Sequence, residues 1–150
     1  MKARIKFRKY GSLRFIGHLD VMRFFQKVMR RADIPIAFSG GYSPHMIMSF
    51  ANPLGIGLTS DGEYFDIELT EAVNSADAVR RMNEACQIEG IEIVSIRRIA
   101  EEKKMTGMTI LAGADYLSML RKGKLPSDWK DSFIRFIGQP EIRILKQTKR

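Results

Sequence analysis

Two neighbouring stretches decide the fold: A-R-I-K-F-R-K at residues 3–9 and H-L-D-V-M-R-F-F-Q-K-V-M-R-R-A at residues 18–32. In the first, Ile5 and Phe7 fall on one side and Arg4, Lys6 and Arg8 on the other, the alternation of a half-buried strand. In the second the apolar spacing lengthens. Val21, Phe25, Val28 and Ala32 form one stripe, widened by Met22 and Met29, which predicts an amphipathic helix. Asp20 in its first turn and Arg30 and Arg31 in its last complement the helix dipole, and Pro35 ends it. Tyr10-Gly11-Ser12 between the two is a turn, with residues 13–16 extending the strand.

The pattern continues downstream. Residues 46–50 predict a short strand broken by Asn52-Pro53, and residues 55–62 (G-I-G-L-T-S-D-G) a glycine-rich link. Residues 63–69 (E-Y-F-D-I-E-L) predict a strand with Phe65, Ile67 and Leu69 on one face and the acids on its solvent side. A second helix opens at Ser75, buries Val79, Met82 and Cys86, and is capped by Gly90; residues 91–99 are a further strand. Strand–helix–strand–strand–helix–strand is the ferredoxin-like order, so the fold class is α+β: a ferredoxin-like unit over residues 1–100. Residues 101–150 follow a polar junction and predict a partial second unit: a strand at 106–116, a helix at 127–137 and a strand at 141–147.

Charge is segregated along the chain. Residues 1–50 carry ten Lys/Arg against Asp20 and Asp33, giving +8. Residues 51–100 carry four against nine acids (−5), and residues 101–150 eleven against six (+5). A basic pole of this kind attracts phosphate-bearing partners. Cys86 is the lone cysteine, so the chain itself holds neither an iron–sulfur cluster nor a structural zinc. The first ten residues alternate charged and apolar positions, and no apolar run reaches the roughly 20 residues of a membrane span. These features predict a cytoplasmic protein without membrane contact.

Within the basic third, Arg23, Lys27 and Arg30 fall at i, i+4 and i+7 and share one ridge, extended by Arg14 before the helix and Arg31 at its end. Like charges stacked this way repel, and a polyphosphate relieves the repulsion. His18, at the helix start, is suited to donate to a phosphate oxygen or to act as a general base. The loop at 39–45 adds a second set: Gly40 and Gly41 for converging backbone N–H groups, Ser39 and Ser43 for hydroxyls, Tyr42 for base stacking, His45 for a phosphate or base edge. No P-loop, nucleophile elbow or Cys/His metal cluster is present.

These segments also carry a resemblance. R-F-I-G-H-L-D-V-M-R-F-F-Q-K-V-M-R-R-A-D-I-P-I-A-F-S-G-G-Y-S-P-H, followed by S-F-A-N-P-L-G-I-G-L-T-S-D-G-E-Y-F-D-I-E-L, resembles the radical-SAM-linked protein family over residues 6–69. Gly17-His18-Leu19-Asp20 and Tyr42-Ser43-Pro44-His45 are its most specific parts. Members of that family occur fused to, or encoded beside, radical-SAM proteins with cobalamin-type domains, and near genes of ribosomes and RNA processing. The resemblance implies a non-catalytic RNA-binding accessory module for tRNA or rRNA. S-adenosylmethionine and an iron–sulfur cluster would then sit only on a radical-SAM partner. Two other functions compete: a metal-independent RNA-processing enzyme using His18 or His45 with a lysine, and an adaptor that docks a radical-SAM enzyme through its acidic strand side. Chains of that family usually extend past the position of Thr148-Lys149-Arg150, so the second unit is expected to be incomplete.

Overall fold

The computed structural model describes residues 1–101, 106–120 and 122–145. Two compact units, Met1–Ala112 and Gly113–Arg150, divide the chain. The first has the elements β1 (Lys2–Lys9), α1 (His18–Arg31), β2 (Met48–Phe50), β3 (Ser60–Glu68), α2 (Ser75–Ala85), β4 (Ile91–Arg98) and a single-turn helix α3 (Gly107–Ile110). Its sheet has the order β2-β3-β1-β4, and every neighbouring pair is antiparallel. The protein is therefore mixed α and β, with one four-stranded antiparallel sheet among the described residues.

The alternation of β1 decides which face is buried. Ala3, Ile5 and Phe7 point to the side covered by α1 and α2, where they meet Phe25, Val28, Met29, Ala78 and Met82. Phe7, Phe25, Phe50 and Phe65 form a linked aromatic cluster at its centre, with Phe25 and Phe65 ring centroids 4.5 Å apart and Phe7 and Phe25 4.8 Å apart. Full burial of Phe7, Phe25 and Phe65 contributes about 1.5–3 kcal/mol each relative to exposure. Helix α1 ends at Arg31, four residues before Pro35: Ile34 N–H donates to Met29 O and Asp33 N–H to Arg30 O, with Asp33 at φ +49°. This pair of bonds is a Schellman motif, in which a left-handed residue satisfies the last carbonyls. Helix α2 starts with the Asn74 side chain accepting from Asp77 N–H at 3.0 Å.

Several sequence expectations about secondary structure need correction. Residues 13–16 do not extend β1; Gly11–Phe15 is a 3-10 turn, because Gly11 at φ +55° breaks the strand and only Leu13 turns inward. Gly90 does not cap α2, whose last turn closes at Cys86 N–H on Met82 O and Asn83 O. Gly90 instead sits at φ +128° against Tyr10, accepting its N–H at 2.8 Å, where a side chain would strike Tyr10 O and Leu13. The strand expected at 106–116 is absent: residues 107–110 are helical and 111–116 irregular, for no sheet edge pairs with them. Residues 141–145 likewise form no strand, while Lys146 and Gln147 lie outside the described residues. The second unit contains α4 (Trp129–Ile137), with Ser132 Oγ donating to Asp128 Oδ2 at 3.0 Å.

Candidate nucleic-acid interface

The aromatic cluster positions His18. Gly17 is the N-cap of α1 in an extended conformation, and His18, half-buried, lays its ring edge-on to Phe50 with centroids 5.2 Å apart. Beneath it lies a residue outside the expected site. Lys9 continues the inward side of β1 after Ile5 and Phe7, and is 1% exposed. Its ammonium donates to Ile16 O at 3.0 Å, tying β1 to the entrance of α1. Burial pushes the Lys9 pKa down, opposed by the nearby Glu63 carboxylate. Glu63 stands opposite Phe7 in the β1–β3 register, so it shares the core face with Phe65 instead of the solvent side expected for the acids of β3. Lys9, His18, Glu63 and Asn52 help to line a crevice of about 10 Å³, room for one water molecule.

The helical ridge is as spaced in the sequence. Arg23, Lys27, Arg30 and Arg31 are all exposed. Arg23 reaches Asp20 at 3.5 Å, an exposed i,i+3 pair that holds little energy. Lys27, Arg30 and Arg31 have no acidic partner among the described residues. Arg14, in the 3-10 turn, places its guanidinium 4.5 Å from the centroid of the Phe15 ring, and its buried Nε has no hydrogen-bond partner among the described residues. Gly57 N–H donates to Arg14 O at 2.8 Å, which joins the glycine-rich link to this turn.

The basic residues of β1 are spent differently. Arg4 binds Asp66 through two hydrogen bonds of 2.7 and 3.0 Å, and Gly107 N–H donates to the same carboxylate at 2.8 Å. Asp66 is thus buried, not solvent-facing as expected. Arg8 pairs with Asp61 and Glu92, which raises its pKa. The sheet therefore pairs two of its basic N-terminal residues, Arg4 and Arg8, with acids from β3 and β4, whereas Lys27, Arg30 and Arg31 on α1 are exposed without such a partner among the described residues.

The loop at 39–45 closes on itself. Ser39 N–H donates to His45 O at 2.8 Å, His45 N–H donates to Ser39 Oγ at 3.1 Å, and the Ser39 hydroxyl meets His45 Nδ1 at 2.9 Å. Two of the N–H groups that could have faced an anion are used inside the loop. Gly41, at φ +100°, and Gly40 form an open tip beside Ser43 and the fully exposed Tyr42. His45 is five residues from Phe50 along a largely extended segment, roughly 16 Å at about 3.3 Å per residue, whereas His18 touches Phe50 itself. No direct contact joins the two histidines among the described residues: His18 packs on Phe50, and His45 bonds to Ser39. The crevice and ridge share α1.

Lys9 and Glu63 were legible by parity alone, since Lys9 follows Ile5 and Phe7, and Glu63 precedes Phe65 and Ile67. Phe15 carried no such signal. Among the described residues, no group of three or more His, Cys, Asp or Glu is placed to hold a metal ion, and no helix is long and apolar enough to cross a membrane. No curated protein and no solved structure matches the chain. A family pattern does match, over residues 2–150, and the chain belongs to that family, described as an uncharacterized protein conserved in bacteria (DUF2344).

Proposed function

We propose that this chain is a non-catalytic RNA-binding module for transfer or ribosomal RNA, working in the cytoplasm beside a radical-SAM enzyme that performs the chemistry. The observation that carries the RNA half is the exposed ridge of Arg23, Lys27, Arg30 and Arg31, three of whose cations lack an acidic partner among the described residues. Cations held apart from acids on one helix face gain most from a polyphosphate, through contact and counterion release. The partner half rests on the resemblance over residues 6–69 and accords with the single cysteine, which leaves cluster and S-adenosylmethionine to another chain. The sheet order β2-β3-β1-β4 with antiparallel neighbours supports reading the first unit as ferredoxin-like.

The test is tRNA affinity measured across a salt series. Reversal of Arg23, Lys27 and Arg30 to Glu is expected to weaken binding at every salt concentration and to flatten the salt slope by about 2 to 3, as for three lost phosphate contacts. Flat or absent binding in the parent, or a slope unchanged by reversal, refutes the proposal. The convergence of Lys9, His18 and Glu63 at one crevice supports a second reading, a metal-independent RNA-processing enzyme using His18. Cleavage of tRNA in the presence of chelator, lost in His18→Ala, would establish that reading over the first.

A further inference from the structure

We propose that the Arg14–Phe15 step at the entrance to α1 is a stacking platform for an unpaired base of single-stranded RNA. The proposal deepens the RNA-binding reading and rests on it. Phe15 is 60% exposed, whereas Phe7, Phe25 and Phe65 are almost wholly buried. One exposed aromatic ring is unremarkable on its own. Here the Arg14 guanidinium lies over the ring at 4.5 Å, so a delocalised cation covers one face of a ring that is otherwise largely exposed. Both are surfaces on which nucleic-acid bases stack.

The surroundings extend that surface. Gly57 N–H holds Arg14 O at 2.8 Å, and the Ile56 methyl comes within 3.8 Å of where a side chain on Gly17 would begin. Ile56, 69% exposed, thus lies beside the α1 entrance, where Leu19 in the first turn is 65% exposed. The buried Arg14 Nε makes no hydrogen bond among the described residues, so packing on Phe15 is what orients the guanidinium. Along α1, Arg23 and Lys27 stand about 8 and 14 Å from His18 at 1.5 Å per residue, placed to follow the phosphates of a strand whose base sits on Phe15.

The geometry favours single-stranded over duplex RNA. In a duplex the base faces are consumed by stacking, and an A-form helix offers a protein only its backbone and shallow groove. A platform at Phe15 gains nothing from such a ligand, whereas the α1 ridge gains from both.

The experiment measures binding of the full chain to three fluorescein-labelled RNAs by anisotropy: a 12-nucleotide unstructured strand, the same strand with abasic sites, and the corresponding duplex. Phe15→Ala is expected to weaken binding of the intact strand about ten-fold, in line with one base stacked on an aromatic ring. Affinity for the abasic strand and for the duplex should change by less than two-fold, and Phe15→Trp should restore binding of the intact strand. Because Phe15 is exposed, an unchanged circular dichroism spectrum is expected and separates the effect from misfolding. Equal weakening of all three ligands, or none, overturns the platform; the latter is the outcome if this apolar surface takes a protein instead. If reversal of Arg23, Lys27 and Arg30 still abolishes binding while Phe15→Ala changes nothing, the RNA-binding reading stands and only the platform falls. If the parent binds none of the RNAs, both fall.

Discussion

Replacing Asp66 with alanine tests whether the sheet is held by the ion pair on its open face. Asp66 accepts two hydrogen bonds from Arg4, at 2.7 and 3.0 Å, and one from Gly107 N–H at 2.8 Å, and the two side chains are only 16% and 10% exposed. Removing one member of a buried pair costs about 3–5 kcal/mol, since the remaining charge keeps its desolvation cost. The residual solvent access of Arg4 brings the expectation below that range, to about 2–3 kcal/mol. Asp61→Ala is the control: it breaks the Arg8–Asp61 pair, whose side chains are 45% and 86% exposed, and should leave stability within error of the parent. Urea unfolding is followed by far-ultraviolet circular dichroism, to which the sheet, α1 and α2 of the first unit contribute most, because the single tryptophan, Trp129, lies in the second unit and its fluorescence would report there. Amide exchange provides an independent readout, with the Gly107 N–H exchanging faster in Asp66→Ala than in Asp61→Ala. If the two variants lose equal stability, or Gly107 exchange is unchanged, the pair is incidental to the fold.

Further outcomes follow from single positions. Burial pushes the Cys86 thiol up from 9.0 to about 11, so at pH 8 iodoacetamide should label the folded chain about 100-fold more slowly than the urea-unfolded chain; equal rates would overturn the burial. The same shift means that Cys86 stabilises the fold below about pH 9 and that this contribution is lost as pH rises through about 11. Gly90→Ala should destabilise by about 2–3 kcal/mol in thermal melts, because a side chain at φ +128° would meet Tyr10 O at 2.8 Å, backbone that cannot give way. Gly40→Ala, with nothing near its would-be side chain, should melt with the parent.

Much of the fold was legible because two apolar periods speak clearly. Alternation in β1 and the stripe Val21, Phe25, Val28, Ala32 each bury the residues that the pattern marks. Residues 13–16 misled because a lone inward Leu13 serves a 3-10 turn as well as a strand, and the positive φ of Gly11 that decides between them is not a periodic signal. Residues 106–116 misled for a different reason. Apolar residues in sequence do not create a strand without an edge to pair with, and pairing is a property of the whole sheet. The 39–45 loop was recognisable as a loop, but its Ser39–His45 clasp depends on the antiparallel Phe38–Met46 bridge, which no local pattern announces.

Charge counted by window separates a basic first third from an acidic middle third, and the sheet brings the two back together. Because β1 lies between β3 and β4, Arg4 and Arg8 on its outward face pair with Asp66, Asp61 and Glu92, so their positive charge is spent within the molecule. On helix α1, Lys27, Arg30 and Arg31 have no acidic partner among the described residues, so these cations stay available. Lys9 is held differently on β1, and its parity explains why. An ammonium carried on the core-facing side of a strand must be held there by something, since burial of an uncompensated charge is costly. The Ile16 carbonyl and the Glu63 carboxylate provide that compensation at the end of the sheet where α1 begins. The consequence is positional: the charge that the core tolerates lies beside His18 and at the foot of the Arg14–Phe15 step, so the rigid strand, the helix entrance and the exposed ridge share one anchoring point.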